Sequence, residues 1–384
     1  MRTTIGNVLH LVDSLGLGGT QSILKDYFES RAGDDRTIHL YGLRAVARQM
    51  QIAHPNIEVN PSSLRFSLVP LLALRRIIRQ KAIAVLHCHL FRAQVFGYLL
   101  KTIFFPRITL VFHEHGRAVG QEGESGLEAL VFRCFLRAAW RRVDCFICIS
   151  DHTRNRLLQV IPAAAPATTV VANPIPVHPR KGESQDRERM RRETGIPQGA
   201  FVLGFASRLV ERKGWGDFLN AVKRLSAHLP VYYLLAGDGE DREKVEARVR
   251  ELGLESQGRL LGHIDYMRQF YGVLDCFVMP SLWEPHGLAH LEAQSFAVPV
   301  VVANVPGLEA TVHAGHDALL FPPGDASALA VEIRRIAEDA GLRASLAAGG
   351  LANAAHYTMD GFAASLKKIY SSVAQNQRES VLGK

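Results

Sequence analysis

The chain has 384 residues, enough for two ordinary domains with a core each, and its 47% hydrophobic and 21% charged residues exclude a disordered segment. Residues 1–178 carry 21 Lys and Arg against 12 Asp and Glu, and the remainder carries 24 against 25, so the net +8 comes entirely from the first half. Such a surface favours an anionic partner: a membrane, a nucleic acid or a phosphorylated acceptor.

The N-terminal MRTTIGNVLHLV holds one Arg and a short apolar run that leads into a glycine-rich turn, which does not make a secretion signal. No stretch approaches the roughly 20 apolar residues that span a bilayer. Five cysteines, at 88, 134, 145, 148 and 276, are scattered as in a reducing cytoplasm. Cys145 and Cys148 have CxxC spacing, but they lie in VDCFICIS, which reads as a buried strand with the two thiols on opposite faces. They are read as structural.

In chain order, IGNVLHLVD reads as a strand, followed by the turn SLGLGGT and a helix from about Gln21 to Glu29. RTIHLYGL, AIAVLHCH, ITLVFHEH, VDCFICIS and TTVVANPI are the next strands, with helical patterns at about 68–80, 92–103, 127–142 and 151–159. β-branched runs without polar alternation are strands covered on both faces, hence a parallel sheet with helices on each side. Residues 177–199 are polar, charged and bounded by prolines, and mark the domain boundary. A second series then follows: FVLGFAS, VYYLLAGD, RLLGH, CFVMPS, VPVVVAN and ALLFPP. The expected fold is α/β, two doubly wound, Rossmann-like parallel-sheet domains facing an interdomain cleft, with ligands at the carboxyl ends of the strands.

The densest local signal is Glu284-Pro-His-Gly-Leu-Ala-His-Leu-Glu292, just after CFVMPS. Pro285 and Gly287 fit a turn entering a helix, so free N–H groups near Gly287 and Leu288 would face an anion. Glu292 would lie one turn into that helix and Glu284 on the loop before it. By spacing alone, the same pattern describes a capped surface helix with two solvated glutamates. Upstream, FASRLVERKGW places Arg208 just past a strand and Lys213 five residues on. Two cations there suit a diphosphate, although an Arg and a Lys in a loop are commonly just solvated.

Further short motifs accompany these in order: Gly16-Leu-Gly-Gly19, His87-Cys-His89, Glu114-His115-Gly116, Lys213-Gly214, Gly237-Asp-Gly239, Leu261-Gly262, Pro280-Ser281, Pro299-Val-Val and Leu319-Leu-Phe-Pro-Pro-Gly-Asp325. Together with Arg208 and the Glu284/Glu292 pair, the ordered set covers nearly the whole chain. It resembles the retaining glycosyltransferases of family 4, which have the GT-B fold. The resemblance implies an acceptor-binding domain at 1–178 and a nucleotide-sugar domain at 179–357, with a helix at about 358–375 packing back on the first. It implies that Arg208 and Lys213 hold the diphosphate and stabilise the leaving group, with no metal and no cofactor required. Glu292 would bind the ribose, Glu284 the donor sugar, Gly287 and Leu288 the phosphates, and Gly262 would flank the base. Gly18 and Gly19 would let a loop approach phosphate and acceptor closely. GLGLGGT lacks the third glycine of a dinucleotide fingerprint, which argues against a dehydrogenase.

His115 aligns best with the family histidine that contacts the donor sugar, and His113, on the same strand face, is a competing alignment. His87 and His89 also share a face, but no carboxylate or further histidine lies nearby in sequence. They are therefore read as structural or acceptor-side residues and not as metal ligands. The chain departs from the family pattern at His286, at Asn173-Pro174 and at Val305-Pro-Gly-Leu308.

The resemblance implies transfer from a nucleoside-diphosphate sugar, such as a UDP- or GDP-sugar, to a glycan or lipid-linked acceptor in lipopolysaccharide or exopolysaccharide synthesis. A sugar-nucleotide epimerase on the same fold and a non-catalytic nucleotide-sugar-binding relative are the alternatives. The stretch LRFSLVPLLALRRIIRQK (64–81), with Arg65, Arg75, Arg76, Arg79 and Lys81, reads as a domain helix or as a dock on an anionic membrane. A cytoplasmic protein, peripheral on the inner face of the membrane, is expected. No recognition motif supports nucleic-acid binding.

Overall fold

A computed structural model of the chain describes residues 6–16, 18–31, 37–47, 49–64, 67–116, 126–176 and 184–382. Leu17 of the glycine loop, Arg65 of the proposed docking stretch and residues 177–183 of the predicted linker lie outside them.

The apolar runs fold as strands: β1 (Asn7–Val12), β2 (Ile38–Gly42), β3 (Ile57–Val59), β4 (Ile83–His89), β5 (Thr109–Glu114), β6 (Cys145–Cys148) and β7 (Thr168–Val170). After them come β8 (Phe201–Ala206), β9 (Val231–Ala236), β10 (Gly258–Gly262), β11 (Cys276–Met279), β12 (Val300–Ala303) and β13 (Leu319–Phe321). They build a seven-stranded sheet in the order β3-β2-β1-β4-β5-β6-β7 and a six-stranded sheet in the order β10-β9-β8-β11-β12-β13. Every pairing described is parallel. Central strands such as β5, β9 and β12 are buried along their whole length, which is why their sequences show no polar alternation.

The chain divides into two compact units, Met1–Pro174 with Met359–Lys384, and Ile175–Thr358. The C-terminal helix Met359–Leu382 belongs to the first unit, where Arg31 pairs with Asp360 at 2.8 Å and the Tyr370 hydroxyl lies 2.6 Å from His87 Nδ1. In the second unit the helix Trp215–Leu225 buries Phe218, Leu219, Val222 and Leu225 along one stripe. Asp217 in its first turn and Lys223 and Arg224 in its last complement the helix dipole.

Two elements differ from the sequence reading. The polar stretch taken as linker contains a helix, Ser184–Glu193, whose Arg187 and Arg191 pair with Asp275 at 2.7 and 3.2 Å. Ion pairs hold it, so no apolar stripe announced it. The predicted helix at 92–103 begins at Leu90 and widens into a π-helical turn at Leu100–Phe104. Among the described residues, no helix is long and apolar enough to cross a membrane.

Candidate active site

In each sheet the strand order reverses once, between β1 and β4 and between β8 and β11. Loops leaving neighbouring strands at such a point diverge and open a crevice at the carboxyl ends. The predicted site residues of the second unit cluster there. Arg208 stands two residues beyond β8, exposed and in no ion pair among the described residues. The turn Glu211–Lys213 follows, and the Lys213 ammonium pairs with Glu284 on the loop leaving β11; the two side chains are only 16% and 8% exposed. The Ser281 hydroxyl donates to the same Glu284 oxygen at 3.4 Å.

Backbone contact holds the two loops in register. The Leu282 N–H donates to the Arg212 carbonyl at 2.8 Å. Gly214 has φ +72°, and a Cβ on it would lie 1.8 Å from the Pro280 carbonyl oxygen. Only glycine can therefore follow Lys213 in this arrangement. Gly307 makes the corresponding approach from the other side, its position 1.8 Å from the Glu284 carbonyl oxygen once a Cβ is added. Val305-Pro-Gly-Leu308 thus keeps the one glycine its geometry requires.

Glu292 lies in the first turn of the helix Ala289–Ser295, and its carboxylate accepts from the Tyr271 hydroxyl at 2.8 Å. Burial and the charge of Glu292 hold that hydroxyl protonated, well above its ordinary pKa. The other face of the helix is pinned by a buried polar network. His290 Nε2 lies 3.0 Å from the Thr311 hydroxyl, Gln294 donates to the Asp317 carbonyl at 2.9 Å, and Asn353 donates to Gln294 Oε1 at 2.9 Å. Burial pulls His290 down to about 3 and His286 to about 4, so both rings are neutral at pH 7. Gly287 has φ +75° and Leu288 is half-buried against Ile175, Leu291 and Ala354. Gly262, at φ +66°, closes β10 and accepts from the Gly237 N–H at 2.7 Å.

At the reversal in the first unit, β4 passes into the helix Leu90–Leu99 without a loop, and Leu90 is held at φ +68°. A bulky residue there is strained, and such strain is tolerated where the surroundings fix the chain. Gly18 is extended, and a Cβ on it would meet only the flexible end of Gln21, while Gly19 has nothing within 4 Å. The fold around these two glycines does not itself demand them.

The outstanding feature of this end is a row of five histidines. His10 on β1, His87 and His89 on β4, and His113 and His115 at the end of β5 share one face, because β1 pairs with β4 and β4 with β5 in register. His10 Nδ1 lies 3.0 Å from His89 Nε2, His89 Nδ1 lies 3.0 Å from His115 Nε2, and His87 Nε2 lies 3.2 Å from His113 Nδ1. Burial drives all five rings below their ordinary pKa, His10 and His115 to about 3, and in the inner three neighbouring imidazoles add to the effect. His113 is fully buried, whereas His115, just beyond β5, is half-buried and forms the accessible end of the row. Glu114 points to the opposite face, accepts from Gln94 at 2.7 Å and is pushed up to about 7 by burial.

The structure thus brings Lys213 and Glu284 together directly, sets Glu292 on a braced helix, and leaves Arg208 free to reach solvent. Sequence reasoning missed Tyr271, and it singled out Pro280-Ser281 without giving Ser281 a role. A tyrosine in the apolar helix MRQFYGV signals that its hydroxyl needs a partner, but not which one. It also set aside a metal at His87 and His89 for want of neighbouring histidines. The neighbours are distant in sequence and come together in space, where sheet pairing brings three more histidines beside these two.

Residues 186–351 match the family described as Glycosyl transferases group 1, and residues 31–178 match Glycosyltransferase Family 4. The 2-deoxystreptamine glucosyltransferase of Streptomyces kanamyceticus is 32% identical over 56% of this chain and 56% of its own length. The lipopolysaccharide core biosynthesis glycosyltransferase LpsE of Rhizobium meliloti is 32% identical over 55% of this chain and 59% of its own. The chain therefore spans a little over half the length of these relatives. Among solved structures, Anabaena HepE in complex with UDP and glucose superposes with a TM-score of 0.81 at 23% identity, over 96% of this chain and 100% of that one. Sucrose-phosphate synthase from Thermosynechococcus elongatus gives 0.80 at 19% identity, over 96% and 99%. Both likenesses concern the fold, which is GT-B.

Proposed function

Because the chain belongs to glycosyltransferase family 4 of the group 1 glycosyl transferases, we propose that it moves a sugar from a nucleoside-diphosphate sugar to a glycan or lipid-linked acceptor, with retention of configuration. The observation that carries this reading is Lys213 paired with Glu284 at the reversal between β8 and β11. An ammonium has three donors, so Lys213 can keep Glu284 and still donate to a phosphate oxygen.

In this mechanism Lys213 and Arg208 grip the pyrophosphate and stabilise the negative charge that grows as the bond to the anomeric carbon breaks. Lys213, part-buried and fixed by Glu284, and the exposed Arg208 can supply this without a metal. Glu284 receives the sugar hydroxyls, and Glu292, held by Tyr271, receives the ribose. Gly287 and Leu288 seat the phosphates, and Gly262 flanks the base. The departing phosphate accepts the acceptor proton on the same face of a loose, oxocarbenium-like transition state. His115, the accessible end of the histidine row, is the first-unit residue proposed to meet the transferred sugar, and Gly18 and Gly19 leave room for the acceptor.

The names of relatives support the substrate classes. HepE has been solved with UDP and with UDP-glucose, and two Rhizobium meliloti relatives are named for lipopolysaccharide core biosynthesis. A lipopolysaccharide or exopolysaccharide acceptor at the inner face of the cytoplasmic membrane is the corresponding proposal here. Thermal-shift screening against UDP, GDP, ADP and their sugars tests the donor: a ligand at 100 times its dissociation constant stabilises by about 2.7 kcal/mol. Transfer measured in excess EDTA tests the rest. A strict Mg²⁺ requirement, or conversion of nucleotide sugar with no acceptor present, contradicts the mechanism, the latter in favour of an epimerase.

A further inference from the structure

We propose that His89, His113 and His115 form a binding site in the first unit for a single divalent cation of the zinc class. One ring nitrogen from each of the three lies within 4.8 Å of the others. His10, His87 and His89 satisfy the same condition, so His89 is common to both groups. Half-burial of His115 gives the first group a way in that the fully buried His10–His87–His89 group lacks.

Hydrogen bonding alone leaves the row unsatisfied. His10, His89 and His115 form a chain of three uncharged imidazoles, which carries three N–H groups and three lone pairs. Its two internal bonds use two of each, so one N–H and one lone pair are stranded at the ends. Among the described residues, His10 Nε2 and His115 Nδ1 are buried without partners, and so is His113 Nε2 in the parallel chain through His87 to Tyr370. Buried polar atoms are rarely left so.

A cation takes the free lone pair of each neutral ring, which keeps its one proton on the other nitrogen. Zinc–imidazole bonds of about 2.0–2.1 Å place tetrahedral ligand nitrogens about 3.3 Å apart. His89 Nδ1 and His115 Nε2 now stand at 3.0 Å, so the pair needs to open by only a few tenths of an ångström. Metal-bound histidines are normally oriented through the second ring nitrogen. His89 already has that support, since its Nε2 meets His10 Nδ1 at 3.0 Å. Three neutral imidazoles suit zinc, copper, nickel or cobalt and not the oxygen-seeking magnesium or calcium. The fourth position would be open to water or a substrate oxygen. The proposal is read by metal binding to the resting protein, which does not depend on turnover.

Untagged full-length protein, stripped of metal, is titrated with Co²⁺ alone and then with Zn²⁺. One equivalent of Co²⁺ with a tetrahedral visible band, displaced by Zn²⁺, is expected. His115→Asn should weaken Co²⁺ binding at least tenfold, His89→Gln should abolish it, and His313→Asn, in the second unit, should leave it unchanged. If His89→Gln fails to fold, His115→Asn decides alone. Absence of stoichiometric binding, binding retained in His115→Asn, or binding lost in His313→Asn overturns the proposal.

Discussion

Lys213 and Glu284 offer a direct test, because stability and catalysis should separate there. Both side chains are largely out of water, at 16% and 8% exposure. Lys213→Met strands a buried carboxylate whose remaining partner is the Ser281 hydroxyl at 3.4 Å, and stranding one member of a buried pair costs about 3–5 kcal/mol. Lys213 retains some exposure, so the low end, about 3 kcal/mol, applies, a roughly 150-fold change in the unfolding equilibrium. Glu284→Gln removes the other charge, and the double variant leaves no charge stranded. It should recover at least about 2 kcal/mol relative to the sum of the single changes, the upper range for coupled neighbours. Trp215 and Trp283 lie in the second unit beside the pair, so urea unfolding followed by their fluorescence in a Trp140→Phe background reports on that unit. Turnover should fall by orders of magnitude in all three variants, the stable double variant included. Additive stabilities would refute the coupling, and near-normal transfer by Lys213→Met would refute the catalytic assignment.

Gly214→Ala should destabilise the second unit by more than about 2 kcal/mol, since a left-handed non-glycine residue alone costs about 1–2 kcal/mol and the Cβ meets the Pro280 carbonyl at 1.8 Å. Gly216→Ala, in open space on the following helix, should be neutral or stabilising by up to about 1 kcal/mol by thermal melting. Tyr271→Phe should weaken nucleoside-diphosphate binding about tenfold by calorimetry, because a hydrogen bond to a charged group contributes about 1.5–3 kcal/mol to holding Glu292. His290 is neutral in the fold down to about pH 3, while the unfolded chain takes up the proton near 6.5. Its contribution is therefore complete above pH 6.5 and decays as pH falls, by about 2 kcal/mol at pH 5, and urea curves at pH 7 and 5 should show His290→Gln losing that share. Leu64, Leu68, Val69 and Leu72 are about two thirds exposed at the start of the helix Val69–Gln80, with Arg76 and Arg79 beyond them. Flotation with anionic liposomes at moderate salt should carry the protein up, and absence of binding ends the membrane reading.

Most of the fold was legible because its strands are buried on both faces and short apolar runs have few other uses. What escaped lacked such a signature. β3 is three half-exposed residues at a sheet edge, and the helix Ser184–Glu193 is held by Arg187 and Arg191 on a distant Asp275. Within the site, the cations and glutamates were legible from motif order. Their support was not, because Tyr271 reaches Glu292, and Thr311 and Asn353 brace the helix that carries it, through tertiary packing. The same helix at 69–80 shows both sides of the problem. Its apolar stripe of Leu74, Ile77 and Ile78 was readable, yet that Arg75 and Arg79 lie over Phe104 and Phe105, and so turn toward rings of their own unit, was not.

The two units place polar side chains at the same topological position, charged in the second unit and neutral in the first. At the β8/β11 reversal the loops carry Arg208 and the Lys213–Glu284 pair, and glycine contacts lock them backbone to backbone. At the β1/β4 reversal the strand ends carry neutral imidazoles, and the glycine loop beside them is not fastened by such contacts. Neutral rings offer a phosphate no charge, but each can donate one hydrogen bond and accept another, or hold a cation through its lone pair. A sugar acceptor presents hydroxyls and a nucleotide donor presents charge. A charged donor at the β8/β11 reversal and hydroxyl-bearing groups at the β1/β4 reversal are what the proposed transfer would call for.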